Sequence, residues 1–236
     1  MDLRRLNLRD GLTTLLFPRL CLHCRRAVTQ GQGEMLCTVC LPELTPTDYH
    51  SRRENPLTDR LAGRLPIATG AALYVYHSPS VLQEMIHALK YYDRPGIGRA
   101  LGRELGRKLR ASPFYDTVNV LVPVPIHAKR RRERGYNQAE VIAGGVAEVL
   151  SLPLRTDLLQ RTDFRGSQTK RGQLERLENV AESFRAVPSR PLPPEPHLLL
   201  IDDVMTTGAT LDFSGNALLE AYPRATLSIA TLGITV

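Results

Sequence analysis

Two adjacent aspartates, Asp202 and Asp203, follow a run of four apolar residues in the sequence LLLIDDVMTTGATL, residues 198–211. The apolar run predicts a buried strand, on which neighbouring side chains point to opposite sides. The two carboxylates could serve one ligand if the chain bends there, and a pair of ribose hydroxyls or a magnesium ion would then suit them. The threonines and glycine that follow lead into a predicted helix, whose first backbone N–H groups attract an anion. This stretch therefore predicts a site for a ribose 5-phosphate.

A basic segment lies within VPVPIHAKRRRERGYNQAE, residues 122–140. We predict a strand followed by a basic loop, whose cations are Lys129, Arg130, Arg131, Arg132 and Arg134. At the end of a core strand such a loop would face the same crevice as the aspartates, where a pyrophosphate needs neutralising charge. A solvated charge run and a DNA-binding patch are the alternatives.

A polar, basic and glycine-bearing segment, RTDFRGSQTKRGQLERLENV, occupies residues 161–180 between apparent strands. It could be a loop that closes over a bound ligand. The side chains in it that could contact a ligand are Gln168, Arg176 and Asn179. A surface helix hairpin is the alternative.

Four cysteines, Cys21, Cys24, Cys37 and Cys40, form the pattern C-x2-C-x12-C-x2-C. Two C-x-x-C turns can direct four thiolates at one metal ion, and this spacing is close to that of structural zinc sites. A pair of disulfides is disfavoured in a reducing compartment, and an iron–sulfur cluster is a further alternative. Residues 1–60 are too few to bury much of a core, so metal binding would supply folding free energy.

Hydrophobic patterning predicts the elements that position these residues. Apolar runs predict strands at 67–76, 118–125, 197–203 and 225–234. Helices are predicted at 81–92, 97–110, 139–150 and 209–221. Alternation of strands and helices indicates a mainly parallel sheet flanked by helices, with ligands beyond the carboxyl ends of the strands. We expect an α/β domain at 61–236, preceded at 1–60 by the cysteine module and a polar linker.

Charge and composition restrict the kind of partner. The 236 residues carry a formal net charge of +7 with a pI near 9.5, which suits a phosphate-bearing ligand or a nucleic acid without choosing between them. The longest apolar runs fall far short of the roughly 18 residues of a membrane-spanning helix. No small-residue cleavage site follows the short apolar run near the N-terminus, so we expect a cytoplasmic protein without a membrane span.

Residues 198–210 resemble the phosphoribosyl pyrophosphate (PRPP) motif of type I phosphoribosyltransferases, with four apolar residues, two acidic residues and a T-T-G-x-T loop. The resemblance implies that Asp202 and Asp203 hold the ribose hydroxyls, with Mg2+ accompanying PRPP, and that the loop holds the 5-phosphate. The PRPP-binding residues that it implies are Asp202, Asp203, Val204, Met205, Thr206, Thr207, Gly208, Ala209 and Thr210. Purine-specific members usually carry an aspartate at the position of Thr206, which argues against purine salvage.

Together the cysteine pairs, the basic segment, the Q-x5-L-x-R-x2-N pattern and IDDVMTTGAT resemble the ComF family over nearly the whole chain. The resemblance implies an N-terminal zinc finger with structural Zn2+ and a type I phosphoribosyltransferase-like domain. It also implies a role in natural transformation, where imported single-stranded DNA is handled in the cytoplasm together with other competence proteins of the helicase type.

Three functions remain open from the sequence. The first is an enzyme that transfers the phosphoribosyl group to an unknown acceptor, with Asp202 and Asp203 as its catalytic residues. The second is a competence factor that binds single-stranded DNA through its basic segment. The third is a regulator that binds PRPP without turnover. These functions can overlap, and the sequence does not decide whether the protein is an enzyme.

Overall fold

The computed structural model describes residues 20–28, 35–162, 184–188 and 191–236. In chain order the helices and strands are α1 (Pro56–Leu61), β1 (Gly70–Tyr76), α2 (Val81–Tyr91), α3 (Pro95–Arg110), β2 (Val120–Pro123), α4 (Ala128–Arg134), α5 (Gln138–Leu150), β3 (Leu159–Arg161), β4 (Phe184–Ala186), β5 (His197–Met205), α6 (Ala209–Ala221) and β6 (Thr226–Thr235). Short 3-10 turns lie at Leu41–Glu43, Tyr49–Ser51 and Pro113–Tyr115.

The main sheet has four strands in the order β1-β6-β5-β2, and every neighbouring pair is parallel. Residues 197–201 of β5 are buried, as expected for a central strand covered on both faces. The strands β3 and β4 form a separate antiparallel pair. The predicted α/β class with a parallel sheet flanked by helices is confirmed, and the four predicted strands of that sheet lie within a few residues of their expected positions.

Helices α3 and α5 pack closely through glycines that face each other. A Cβ atom at Gly102 would lie 2.1 Å from the carbonyl oxygen of Ile142, and one at Gly145 would lie 2.3 Å from that of Arg99. Arg99 and Arg103 also pair with Glu148 across the two helices. This close packing fixes α5, whose first turn borders the crevice described below.

Both outer strands of the main sheet have backbone partners on their free edges. On β1 the segment 45–47 runs antiparallel, with Thr47 N–H donating to the Leu73 carbonyl at 3.0 Å and Val75 N–H to that of Thr45 at 2.8 Å. On β2 the Leu121 N–H donates to the Pro153 carbonyl at 2.9 Å, and its carbonyl accepts from the Arg155 N–H at 2.8 Å.

The polar segment 45–60, predicted as a linker, contributes α1 and part of the core. Asn55 caps α1 by accepting from the Leu57 and Thr58 N–H groups, and its side-chain amide donates to the Gly70 carbonyl at 2.9 Å. Leu57 and Leu61 are fully buried. The division at residue 60 stays a prediction, although these contacts join α1 to β1.

The basic segment is a helix, not the loop that the sequence analysis predicts. Residues 128–134 read AKRRRER, and alanine, lysine, arginine and glutamate are all strong helix formers. The His127 side chain caps the first turn by accepting from the Lys129 N–H at 3.2 Å. Gly135 ends the helix in the left-handed conformation, with φ of 78°. Local propensity and two capping residues thus outweigh the repulsion between neighbouring cations.

Within the described ranges, no helix is both long enough and apolar enough to cross a membrane.

Candidate functional site

A crevice of about 360 Å³ lies beyond the carboxyl ends of β2 and β5. This is where a parallel α/β sheet usually binds its ligand. Acidic and hydroxyl groups from β5 and the start of α6 line one part of it, and cations from α2, α4 and β3 line another. The sequence-predicted residues that line it are Asp202, Asp203, Val204, Thr206, Thr210, Arg130 and Arg134.

Both aspartates of the predicted pair line the crevice. Strand β5 continues through both aspartates to Met205, and Asp202 remains in register with Thr231 of β6. Both carboxylates nevertheless line the crevice. The Asp203 N–H donates to Oδ1 of Asp202 at 2.8 Å, and the Val204 N–H donates to Oδ1 of Asp203 at 2.7 Å. Backbone donors therefore fix one oxygen of each carboxylate and leave the second oxygen to other partners.

The second oxygen of Asp203 is occupied by a lysine. Lys90 Nζ of α2 lies 2.5 Å from Oδ2 of Asp203, and both side chains are mostly buried. A ribose hydroxyl or a metal ion that approached Asp203 would have to displace or share this ammonium group.

Asp202 has an unusual acidity. Burial of its carboxyl, together with repulsion from Asp203, raises its pKa to about 7, against the opposing influence of Lys90 and Arg161. A divalent cation at this carboxylate would favour its ionised form, because the cation attracts the charge that burial disfavours.

Two arginines, one in α1 and one just after it, hold the backbone of the threonine loop, residues 206–210. The Thr206 carbonyl accepts from Arg60 Nη1 at 2.6 Å, and the Thr207 carbonyl accepts from Arg64 Nη2 at 3.3 Å. Gly208 begins α6 in the left-handed conformation, with φ of 82°. The loop thus has a fixed backbone that leads directly into the positive end of a thirteen-residue helix.

The predicted PRPP residues do not all reach the crevice. Thr206 and Thr210 line it, but Met205 is 1% exposed and lies below the loop, with its Cε 2.9 Å from where a Cβ of Gly208 would lie. Thr207, Gly208 and Ala209 form the turn between the two lining threonines, and the Ala209 N–H donates to Thr207 Oγ1 at 3.4 Å.

Helix α4 presents only part of its charge to the crevice. Arg130 and Arg134, one turn apart, line it. Arg134 also donates to Oε1 of Gln138 at 2.8 Å. Lys129 lies 3.9 Å from Glu133 and Arg131 lies 3.3 Å from Glu140, so these cations have partners elsewhere. The helical geometry thus selects two of the five predicted basic residues for the crevice.

Sequence reasoning missed several residues that line the crevice: Tyr76, Ile86, Lys90, Asn137, Gln138 and Arg161. Lys90 follows Ile86 by one helical turn on the face of α2 that packs inward, and this position was the available signal. Arg161 lies with its Cζ 4.9 Å above the Phe184 ring. Burial, with the charge of Arg130 adding to it, lowers the Arg161 pKa. No local pattern marks Arg161, because its position depends on the packing of β3 against the main sheet.

The residues predicted for a closing loop, Gln168, Arg176 and Asn179, lie outside the described residues.

The four cysteines come together as one group. Their Sγ atoms all lie within 4.8 Å of one another, and those of Cys24 and Cys37 are 3.6 Å apart. Cys21, Cys37 and Cys40 are buried, and Cys24 is half-buried. The Cys40 backbone N–H lowers the Cys37 pKa to about 6, which favours a thiolate. Four thiols at this spacing suit a tetrahedral metal ion, so the group could hold one.

His23 lies next to the cysteines and faces carboxylates. Its Nδ1 is 3.0 Å from Glu84 Oε2 of α2, and its Nε2 is 3.8 Å from Glu43 Oε2. The hydrogen bond to Glu84 raises the His23 pKa. His23, Cys40 and Glu43 also form a second, more exposed group of three potential metal ligands, whose ligand atoms lie within 4.8 Å of one another. The buried four-sulfur group is the more complete set.

Comparison with known proteins gives distant relatives over most of the chain. No protein-family model matches it. Competence protein ComFC of Bacillus subtilis is 27% identical, over 91% of this chain and 83% of the relative. Competence protein F of Haemophilus influenzae is 24% identical, over 81% of this chain and 87% of the relative. DNA utilization protein YhgH of Escherichia coli K12 is 26% identical, over 84% of this chain and 89% of the relative.

Two solved structures show limited structural similarity to this chain. Glutamine PRPP amidotransferase from B. subtilis, complexed with ADP and GMP, is 18% identical with a TM-score of 0.41, over 61% of this chain and 30% of that one. Adenine phosphoribosyltransferase from Leishmania tarentolae is 13% identical with a TM-score of 0.38, over 81% of this chain and 94% of that one.

Proposed function

Because its curated relatives support placing this chain in the ComF family, we propose that it is a competence-type protein that binds PRPP and Mg2+ in the crevice. The observation that carries the proposal is the crevice itself. Two carboxylates and a threonine loop share it with cations from three different elements. Such a site suits a ligand with hydroxyl groups in its middle and phosphate groups at both ends, as PRPP has.

Each part of PRPP has a matching group in the crevice. The Asp202 and Asp203 carboxylates would accept from the ribose hydroxyls and contribute to Mg2+ binding, since oxygen ligands suit this ion. Thr206 and Thr210 at the start of α6 would take the 5-phosphate. Arg130 and Arg134 would take the pyrophosphate by charge-assisted hydrogen bonds.

The ion pair between Lys90 and Asp203 has a part in this binding. If a ribose hydroxyl takes the place of Lys90 at Asp203, the ammonium group loses its partner in the crevice that it shares with Arg130 and Arg134. The pyrophosphate would then supply a new partner for Lys90. Ligand binding thus exchanges one ion pair for another, which limits the cost of removing Lys90 from its carboxylate.

The test is calorimetric titration of the protein with PRPP and Mg2+. We expect binding in the micromolar range, and a loss of about a hundredfold or more in the double variant Asp202→Asn, Asp203→Asn, because charge-assisted hydrogen bonds contribute about 1.5–3 kcal/mol each. A control variant, Asp116→Asn with Glu220→Gln, removes two exposed carboxylates elsewhere and should bind as the wild type does. Equal affinity in both double variants would refute the site.

Phosphoribosyl transfer and regulatory PRPP binding without turnover both begin from this complex. An assay of pyrophosphate release separates them, because only transfer breaks the bond between the ribose C1 and the pyrophosphate oxygen.

Binding of single-stranded DNA is the second candidate function. The names of the relatives motivate it, as do the basic residues of α4 that do not line the crevice: Lys129, Arg131 and Arg132. Phosphate contacts release counterions, so the affinity for an oligonucleotide should fall at least about tenfold between roughly 50 and 200 mM salt. Anisotropy of a labelled oligonucleotide measures this, and a salt-independent affinity would contradict phosphate binding.

For the cysteine module we propose structural Zn2+. Four sulfur ligands, three of them buried, would fill a tetrahedral site and leave no position for a substrate, as is usual for structural rather than catalytic zinc.

A further inference from the structure

Three aromatic rings lie together on the surface at the end of α2. The His87 ring centroid is 4.7 Å from that of Tyr91 and 5.3 Å from that of Tyr92. Both tyrosines are 60% exposed, so most of their surface faces solvent. We call His87, Tyr91 and Tyr92 the aromatic ridge.

Cavities lie on both sides of the aromatic ridge. On the Tyr91 side a cavity of about 550 Å³ is lined by Lys90, Tyr91, Asp93, Arg130, Glu133 and Arg134, and we call it the side cavity. On the side of His87 and Tyr92 a cavity of about 700 Å³ extends toward the cysteine module. We call it the module cavity. The aromatic ridge therefore lies between two open spaces that an elongated ligand could cross.

The charge around the aromatic ridge is mainly positive. Among the described residues, Lys90, Arg130 and Arg134 of the side cavity outnumber its two acidic residues. Lys90 pairs with Asp203 at 2.5 Å and Glu133 with Lys129 at 3.9 Å, so Arg130 and Arg134 supply most of the remaining charge. In the module cavity, within the part of the chain that the structure describes, Arg25 and Arg94 accompany one carboxylate, Glu84, whose Oε2 lies 3.0 Å from His23 Nδ1.

Arginine also contacts the ridge directly. Arg134 Cζ lies 5.2 Å from the Tyr91 ring centroid, and Arg134 Nη2 donates to the Tyr91 hydroxyl at 3.4 Å. Exposed rings flanked by cations are the groups with which proteins hold single strands, because bases stack on the rings and phosphates pair with the cations. An apolar protein partner would offer these arginines no anionic group. A double helix would not present the faces of its bases to the rings.

We propose that the aromatic ridge is a nucleobase-stacking site, and that a single strand of nucleic acid crosses it from the module cavity to the side cavity. The proposal rests on the proposed DNA-uptake role, which makes DNA the expected strand. It goes beyond that role by assigning the strand to the aromatic ridge and not to the exposed charges of α4 alone.

The site has a consequence for PRPP. Three cations, Lys90, Arg130 and Arg134, line both the side cavity and the PRPP crevice. A strand phosphate and the pyrophosphate would therefore use the same groups, so the two ligands should compete.

The experiment measures anisotropy of a labelled oligo(dT) of about 15 nucleotides, a length that suits a single-strand site. Replacing both tyrosines, Tyr91→Ala with Tyr92→Ala, should weaken binding about tenfold or more, since each stacked base contributes substantially to affinity. Tyr91→Phe with Tyr92→Phe keeps the rings and should keep most of the affinity. Phe114→Ala, which removes a ring that faces Arg53 near the start of β2, should have no effect on oligonucleotide binding.

Saturating PRPP and Mg2+ should weaken oligonucleotide binding to the wild type several-fold. Calorimetry with PRPP is run on every variant, and thermal unfolding verifies that each is folded. We expect the tyrosine variants to bind PRPP within about threefold of the wild type, because their hydroxyls and rings do not line the crevice.

The outcomes separate the two proposals. Equal oligonucleotide affinity in the alanine variant and the wild type would overturn the proposal that bases stack on the aromatic ridge, regardless of the PRPP result. If bound PRPP does not weaken oligonucleotide binding, the proposal that both ligands use Lys90, Arg130 and Arg134 is wrong. Failure of PRPP to bind at all, with tyrosine-dependent oligonucleotide binding intact, would refute the proposed function of the crevice and leave the ridge. An oligo(U) of equal length tests whether the bound strand is DNA or RNA. A preference for oligo(U) that is lost in the alanine variant would overturn the assignment to DNA.

Discussion

At the residue scale, the Asp202 carboxyl combines an energetic cost of burial with a place in the candidate site. Burial and the neighbouring Asp203 raise its pKa from an ordinary 3.8 to about 7. Between about pH 4 and 7 the folded protein therefore holds a proton that the unfolded chain releases. The stability that this proton supplies is complete below about pH 4 and is lost as the pH rises through 7.

Replacing Asp202 by asparagine removes this dependence. Asparagine keeps an oxygen that can accept from the Asp203 N–H, but it never ionises. Relative to the wild type, Asp202→Asn should gain roughly 1–3 kcal/mol of unfolding free energy between about pH 5 and pH 8. Urea unfolding at both pH values measures the gain, with the exposed Asp116→Asn as the control. A constant difference between Asp202→Asn and wild type would contradict the raised pKa.

Gly208 is the residue on which the threonine loop turns. An alanine there must adopt φ of 82°, and its Cβ would lie 2.9 Å from Met205 Cε and 3.1 Å from Leu61 Cδ2. We expect Gly208→Ala to destabilise the protein by about 2–3 kcal/mol, from a left-handed alanine plus the crowding. PRPP affinity should fall as the loop moves.

The control for Gly208→Ala is Gly135→Ala. Gly135 has a similar φ of 78°, but a Cβ there would meet nothing within 4 Å. Denaturant unfolding of Gly135→Ala should therefore show the backbone cost alone, about 1–2 kcal/mol. Equal losses in the two variants would mean that the methyl group at Gly208 is accommodated without crowding.

At the scale of elements, helix α4 decides which of the five basic side chains face the crevice. A loop could direct all five basic side chains to the crevice, whereas a helix directs only those that share a face. Arg130 and Arg134 line the crevice, and Arg132 is exposed on another face.

This geometry predicts that replacing arginine by glutamine has different effects at two positions of α4. Arg130→Gln should weaken PRPP binding about tenfold, because a hydrogen bond to a charged group contributes roughly 1.5–3 kcal/mol. Arg132→Gln removes the same charge two residues away and should change the affinity less than about twofold. Calorimetry with PRPP and Mg2+ compares them, and equal losses would indicate that net charge, not helix orientation, controls binding.

Sequence patterns predict elements better than the contacts between them. The apolar runs that became β1, β2, β5 and β6 are visible in the sequence because burial on both faces demands continuous apolar residues. The helix of residues 128–134 was also accessible to propensity reasoning, but the cluster of like charges favoured a loop. Lys90 could be predicted only in part: its place one helical turn after Ile86 indicates the inward face of α2, but not the crevice that this face meets. Arg161 could not be predicted, because it comes to the crevice through the packing of β3.

At the scale of the whole molecule, the cysteine module and the sheet share one hydrophobic cluster. Cys21, Leu22 and Leu36 belong to the same buried cluster as Leu73 and Leu89 of the larger domain. If the cysteines hold the proposed metal ion, its loss would therefore expose apolar surface on both sides of this contact.

Replacing Cys21 by serine should release the metal and lower the unfolding temperature by several degrees or more, since a structural metal contributes folding free energy. His23→Ala, which changes a neighbour that faces Glu84, should keep one metal ion per chain. Elemental analysis and thermal unfolding, with and without a chelator, test both variants. Full metal retention in Cys21→Ser would count against the four-sulfur site, and metal loss in His23→Ala would place the imidazole among the ligands.

The segments that pair with the outer edges of β1 and β2 affect how folded copies meet. An open sheet edge is a template on which a strand from another chain can add, and that is a common route to aggregation. Here Thr45 and Thr47 occupy the edge of β1, and Pro153 and Arg155 occupy that of β2. A neighbouring molecule therefore finds part of the backbone of both outer strands already hydrogen-bonded. Strand addition at these two positions would first require the segments 45–47 and 153–155 to leave their places, which makes the main sheet a poorer template for other copies.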